Sequence, residues 1–117
     1  MTIERLHAGP RMAQAVIHGD TVYLAGQVAD QPQGKSVGQQ TRAILARIDE
    51  LLAEAGSDKT KLLSTTIYLA DIATFAEMNA EWDAWVASGH VPARATVEAK
   101  LAAPVYTVEI ACIAARA

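Results

Sequence analysis

An arginine behind a proline and a glutamate among apolar neighbours are the residues of this sequence best placed to do chemistry. In Pro92-Ala93-Arg94-Ala95-Thr96-Val97-Glu98, Arg94 stands at the mouth of a β-branched, alternating segment, from which a guanidinium can reach a cleft. Side chains on a strand repeat every second residue, so Arg94 and Thr96 share one face while Ala95 and Val97 share the other. That arrangement is a rigid charged fork with a hydroxyl beside it. A planar guanidinium on a stiff element suits bidentate capture of a small carboxylate. Glu109 lies in the run Val105-Tyr106-Thr107-Val108-Glu109-Ile110-Ala111-Cys112-Ile113-Ala114, where burial without a partner would be costly. The alternative for Arg94 is a solvated edge-strand charge, or a structural pair with a nearby acid. Spacing alone leaves both readings standing.

Other reactive groups form no recognisable set. His7, His18 and His90 have no metal-ligand spacing with one another or with Cys112, so no metal site is expected. Neither a GxxxxGK[ST] phosphate loop nor a GxGxxG dinucleotide turn occurs, and no Ser-His-Asp or paired-carboxylate set is recognisable. Cys112 alternates with Ile110 and Ala114 as a small core residue would, and a catalytic thiol would need a base or cation that spacing does not supply. A net charge of −3 without a long Lys or Arg run argues against a nucleic-acid surface. The single cysteine cannot form an internal disulfide, and no signal-peptide core or long apolar span is present. No membrane association and a cytoplasmic location are the expectation. With 117 residues, 51% of them hydrophobic and 20% charged, the chain reads as a single domain over 1–117.

The elements that must position these residues follow from turn chemistry and periodicity. Residues 1–10 read as an irregular lead-in ending at Gly9-Pro10. Strands are expected over Met12–His18 and Thr21–Ala29, joined by a tight Gly19-Asp20 turn. Gly26, inside the second strand, marks a bulge or a place where something approaches the backbone closely. Asp30 to Gly38 is a loop, and Ser36-Val37-Gly38-Gln39 has the form of a capping box. A helix carrying Ile44, Ile48, Leu51, Leu52 and Ala55 follows, stopped by Gly56.

Lys61–Ala70 reads as a strand with Leu63, Ile67 and Leu69 on one face and Leu62 and Tyr68 on the other. Such a strand needs cover on both sides. With only two helices available, both can sit on one face, so the second face is expected to meet another subunit. The second helix starts near Asp71, or at Thr74 with Glu77 completing a box, and ends at Ser88-Gly89-His90. Phe75, Met78, Trp82, Trp85 and Val86 make its apolar stripe, in which the tryptophans read as core or interface rather than ligand platforms. Asn79 sits beside that stripe, where a polar side chain needs partners. Strands over Val91–Leu101 and Val105–Ala115, around Ala102-Ala103-Pro104, complete a ββαβαββ order: an α+β domain with one sheet. Local adjacency would pair the last two strands as a hairpin.

Pro92-Ala93-Arg94, Val108-Glu109-Ile110 and Gln14-Ala15-Val16…Gly19…Val22…Ala25-Gly26-Gln27 together resemble the RidA/YjgF family of reactive-intermediate deaminases. Ala55-Gly56 and Asp71…Phe75…Asn79 extend the resemblance over nearly the whole chain. The order and spacing of these pieces, rather than any one of them, carry it. The resemblance implies a chorismate-mutase-like fold with a mixed sheet, a homotrimer with clefts between subunits, and a last strand inserted elsewhere in the sheet. It implies hydrolysis of small enamines and imines, such as 2-aminoacrylate, to a 2-keto acid and ammonia without metal or organic cofactor.

By motif, Arg94 matches the arginine that pairs with the substrate carboxylate, and Glu109 the acid that positions water. Gly26 matches a backbone contact, Thr96 a pocket position often held by cysteine, and Asn79 the helix asparagine. Where many members carry Gly-Pro-Tyr-Ser, this chain reads Pro10-Arg11-Met12-Ala13, so Met12 replaces a pocket tyrosine and points to a different, bulkier or more apolar imine. A ligand-binding regulatory trimer without turnover is the competing reading. Ribonuclease activity, attributed to some relatives, is opposed by the acidic balance and by a 5% aromatic content.

Overall fold

The computed structural model describes residues 1–116. Six strands and two helices follow in the order β1 (Ile3–Leu6), β2 (Ala15–His18), β3 (Thr21–Leu24), α1 (Val37–Glu54), β4 (Leu62–Leu69), α2 (Phe75–Trp85), β5 (Ala93–Glu98) and β6 (Val108–Ala115). They form the expected α+β architecture around one mixed sheet, ordered β1-β2-β3-β6-β4-β5. Only β4 and β5 run parallel; every other pair is antiparallel.

Helix α1 forms where the local signals placed it. Ser36 Oγ accepts from the Gln39 amide at 3.2 Å, and Gln39 Oε1 accepts from the Ser36 amide at 2.9 Å, closing the capping box. Its Ile44, Leu45, Ile48, Leu51 and Leu52 are buried in one cluster with Ile17, Val22, Ile67, Leu69 and Ile110 of the sheet and Met78 and Trp82 of α2. Both helices therefore cover the same face of the sheet. The opposite face is left open within the chain, with Tyr23 45% exposed and Thr66, Tyr68, Ala111 and Ile113 half-buried. No helix is long and apolar enough to cross a membrane.

Several expectations are corrected. The lead-in is not irregular throughout: Ile3–Leu6 pairs with Ala15–His18 as an edge strand. The hairpin that local adjacency suggests does not form; as the family resemblance implies, the last strand inserts elsewhere, with β6 between β3 and β4 while β5 pairs only with β4. The strand expected over Thr21–Ala29 stops at Leu24, and Gln27 then makes an isolated bridge to Ile110. The strands expected from Met12, Val91 and Val105 begin later, at Ala15, Ala93 and Val108.

In β4, a register irregularity between Leu62 and Ser64 shifts the alternation, so Leu62 joins the core and Leu63 is 51% exposed. The Thr74–Glu77 box does not form: Thr74 makes no side-chain cap, and Asp71 instead accepts from Ala73 N at 2.9 Å. Glu77 serves α1, accepting from Gly38 N at 2.8 Å, because the unpaired amides of a helix N-terminus attract a carboxylate. Helix α2 ends at Trp85, before Ser88-Gly89-His90, and Lys59 Nζ donates to the Trp85 carbonyl at 2.7 Å.

Candidate functional site

Strand register decides which residues can meet. Arg94 lies opposite Thr65 and Thr96 opposite Ile67, and both partners point into the helix-covered core. Glu109 lies opposite Tyr68, whose side chain is on the open face. Arg94 and Glu109 of one chain therefore stand on opposite faces of the sheet.

On the helix side, α2 frames Arg94. The guanidinium carbon lies 5.3 Å from the Trp82 ring centroid and 5.8 Å from that of Phe75. Those two residues are seven apart on α2, two turns of the same helix face, so both rings come within cation–π reach of the one guanidinium. Asn79, four residues after Phe75 and three before Trp82, shares that helix face and flanks the same position. Arg94 is half-buried and, among the described residues, has no carboxylate within ion-pairing distance. Two polar atoms on these elements, Asn79 Oδ1 and Thr96 Oγ1, are buried with no hydrogen-bond partner. A buried acceptor without a partner costs free energy unless a ligand supplies one. The arrangement can hold a planar anion and accept hydrogen bonds from a group beside it.

On the open side, Gly26 and Glu109 touch. A Cβ on Gly26 would stand 2.9 Å from the Glu109 carboxyl carbon and closer still to Oε2. The glycine thus leaves room for the carboxylate, so of the two readings of this position the close approach holds. Gln27, the next residue, exchanges both backbone hydrogen bonds with Ile110 at 2.8 and 3.0 Å, locking this segment beside β6. Gln40 of α1 steadies the approach to β6, donating to the Val105 carbonyl at 3.0 Å and accepting from Thr107 N at 3.0 Å. Met12, 50% exposed, lines a cavity of about 650 Å³ together with Gly26, His7, Gln14, Arg47 and Tyr106.

The residues singled out from sequence thus fall into two groups. Arg94, Thr96 and Asn79 gather at the β5–α2 edge; Gly26 and Glu109 meet on the open face, with Met12 in the cavity that Gly26 also lines. Phe75 and Trp82 were not singled out as site residues. Their i, i+7 spacing facing an arginine-bearing strand is the signal that would have found them. Cys112 is buried at 2% exposure, and desolvation pushes its thiol up to about 11 despite a contact with Thr65 Oγ1 at 3.5 Å. It is a core residue, as its alternation implied.

Comparison with known proteins places this architecture. Residues 2–116 match the family described as Endoribonuclease L-PSP. The chain is 44% identical over 114 residues to a RutC family protein of Haemophilus influenzae, covering 97% of this chain and 98% of that one. It is 31% identical over 107 residues to the Rattus norvegicus protein named 2-iminobutanoate/2-iminopropanoate deaminase, covering 87% and 77% respectively. The crystal structure of a YjgF-family protein from Neisseria meningitidis superposes with a TM-score of 0.96 at 45% identity, covering 100% of this chain and 97% of that one. On a family match spanning residues 2–116 and identities of 44–45% to full-length relatives, the chain belongs to the RidA/YjgF family, whose members also carry the names RutC and L-PSP.

Proposed function

We propose that the protein hydrolyses small 2-imino acids and their enamine tautomers to 2-keto acids and ammonia, in a cleft where Arg94 of one subunit faces Glu109 of another in a homotrimer. The observation that carries this reading is Arg94 itself: half-buried, held against two rings, without an acid partner among the described residues, and beside two orphaned polar atoms. A small carboxylate fits the fork. The name of the rat relative, a 2-iminobutanoate/2-iminopropanoate deaminase, supports the same substrate class.

The chemistry asks little of the protein. An iminium carbon is already electrophilic, so fixing the carboxylate and placing a water is enough. Glu109 takes a proton as the water oxygen bonds to carbon. Glu109 then passes that proton to nitrogen and takes up the hydroxyl proton as the C–N bond breaks, so the carbonyl forms and ammonia leaves. Met12, in place of a tyrosine, opens the pocket to a bulkier or more apolar side chain. The family description carries the word endoribonuclease, but a net charge of −3 offers a phosphate backbone little attraction.

The test is to generate imines in place with an amino-acid oxidase and follow ammonia release alongside 2-keto-acid binding. Arg94→Ala should lose both together, by about 30-fold or more, since truncating one partner of a desolvated charge pair costs about 2–5 kcal/mol. Arg94→Lys should recover little, because an ammonium lacks the planar fork. Glu109→Gln should lower turnover while sparing keto-acid binding. A folded Arg94→Ala protein with full turnover would sink the proposal. Wild-type keto-acid binding without ammonia release from any imine would favour the regulatory reading instead.

A further inference from the structure

We propose that Phe75 and Trp82 act as an aromatic clamp that positions the Arg94 guanidinium for carboxylate capture, making them positioning residues for substrate affinity. The inference rests on the deaminase reading above and deepens it. An arginine that must bind an anion faces a conflict. A neighbouring carboxylate would fix it in place, but would also occupy its donors and cancel its charge. Two ring faces avoid that conflict, because they attract the cation through their π-electrons and leave all five N–H donors in the guanidinium plane unpaired.

The geometry has the required form. The guanidinium carbon is within 6 Å of both ring centroids, at 5.3 Å for Trp82 and 5.8 Å for Phe75, with no carboxylate within ion-pairing distance among the described residues. The rings belong to one rigid helix and the arginine to a strand paired with β4, so the clamp is set by packing rather than by a loop. Trp82 is 5% exposed and anchors the clamp in the core, whereas Phe75 is 39% exposed and closes its outer side. A planar, weakly hydrated guanidinium suits two ring neighbours better than a compact ammonium does, which accounts for arginine over lysine at this position.

A clamp that orients the arginine serves ground state and transition state alike, so its loss should raise KM and leave kcat at saturation unchanged. Phe75→Leu, at a partly exposed position, keeps an apolar side chain and removes one ring face. Its KM for imines and its Kd for pyruvate, measured by calorimetry on the full chain, should both rise roughly three- to tenfold. Trp82→Leu should show a similar or larger rise together with a lower Tm, and Trp82→Phe should restore affinity because it keeps a π-face. A merely structural role would lower Tm without moving KM or Kd. Folded Phe75→Leu with wild-type KM and Kd would overturn the clamp while leaving the proposed function intact. A wild-type protein that neither binds pyruvate nor turns over imines would overturn both.

Discussion

Gly26 is where the absence of a side chain matters most. Its missing Cβ is the space taken by the Glu109 carboxylate, so Gly26→Ala should displace that carboxylate before it strains the sheet. The flexible end of Glu109 can swing aside, so stability should change little. Catalysis should suffer more: a misplaced catalytic group costs on the order of 100-fold, so kcat should fall by roughly 10–100-fold with keto-acid affinity preserved. Equal losses of kcat and Tm would mean the contact is only packing. Met12→Tyr should change the relative rates of small and bulky imines, read across a panel of amino-acid-derived substrates; unchanged ratios would remove Met12 from the pocket.

Cys112 makes a pH prediction. Burial raises its pKa from 9.0 to about 11, so the folded chain holds the thiol proton more tightly than the unfolded chain does. That contribution to stability is complete below about pH 9 and is lost as pH rises through about 11. The alkaline decline in Tm should therefore be shallower in Cys112→Ala than in the wild type over that window. Parallel declines in the two proteins would contradict it.

At the scale of single elements, α1 is the most self-contained. Removing its cap in Ser36→Ala should cost about 1 kcal/mol, seen as a Tm lower by roughly 3–6 °C, with KM unaffected. This helix was legible from sequence because its signals are local: the box spans four residues, Ser36 to Gln39, and the stripe repeats every turn. Strands were less so. β1 shows no buried residue, so Ile3-Glu4-Arg5-Leu6 carries no alternation to read. The register irregularity in β4 inverted the assignment of Leu62 and Leu63, because one extra residue exchanges faces and leaves no mark in composition. Glu77 was read as a cap for its own helix, yet it caps α1, 39 residues away in sequence. Arg94 and Glu109 were found from proline placement and apolar surroundings. That they occupy opposite faces depends on β6 lying beside β4, a pairing between distant segments that no local pattern encodes.

At the scale of the whole molecule, the opposed faces of Arg94 and Glu109 make the proposed site a property of the assembly. Sedimentation should find three chains per particle at micromolar concentration; a stable monomer would leave the two half-sites apart. Mixing supplies a sharper test. Arg94→Ala and Glu109→Gln chains, each impaired alone, should regain activity when unfolded and refolded together in equal amounts. About a quarter of random intersubunit pairings would unite an intact Arg94 with an intact Glu109 across a heterologous interface. No recovery from mixed trimers would mean that the two residues do not share one intersubunit site. The placement of β6 has a different consequence, for biosynthesis. The last of these six strands to leave the ribosome is the seam of the sheet, joining β3 to β4. Until residues 108–115 emerge, the nascent chain holds a β1-β2-β3 meander and a β4-β5 pair with facing edges unsatisfied. Emergence of β6 is then the step that closes the fold, and a chain cut before Ile113 would split the sheet in two instead of trimming its rim, because the β3 register partners lie at Ile113, Ala114 and Ala115.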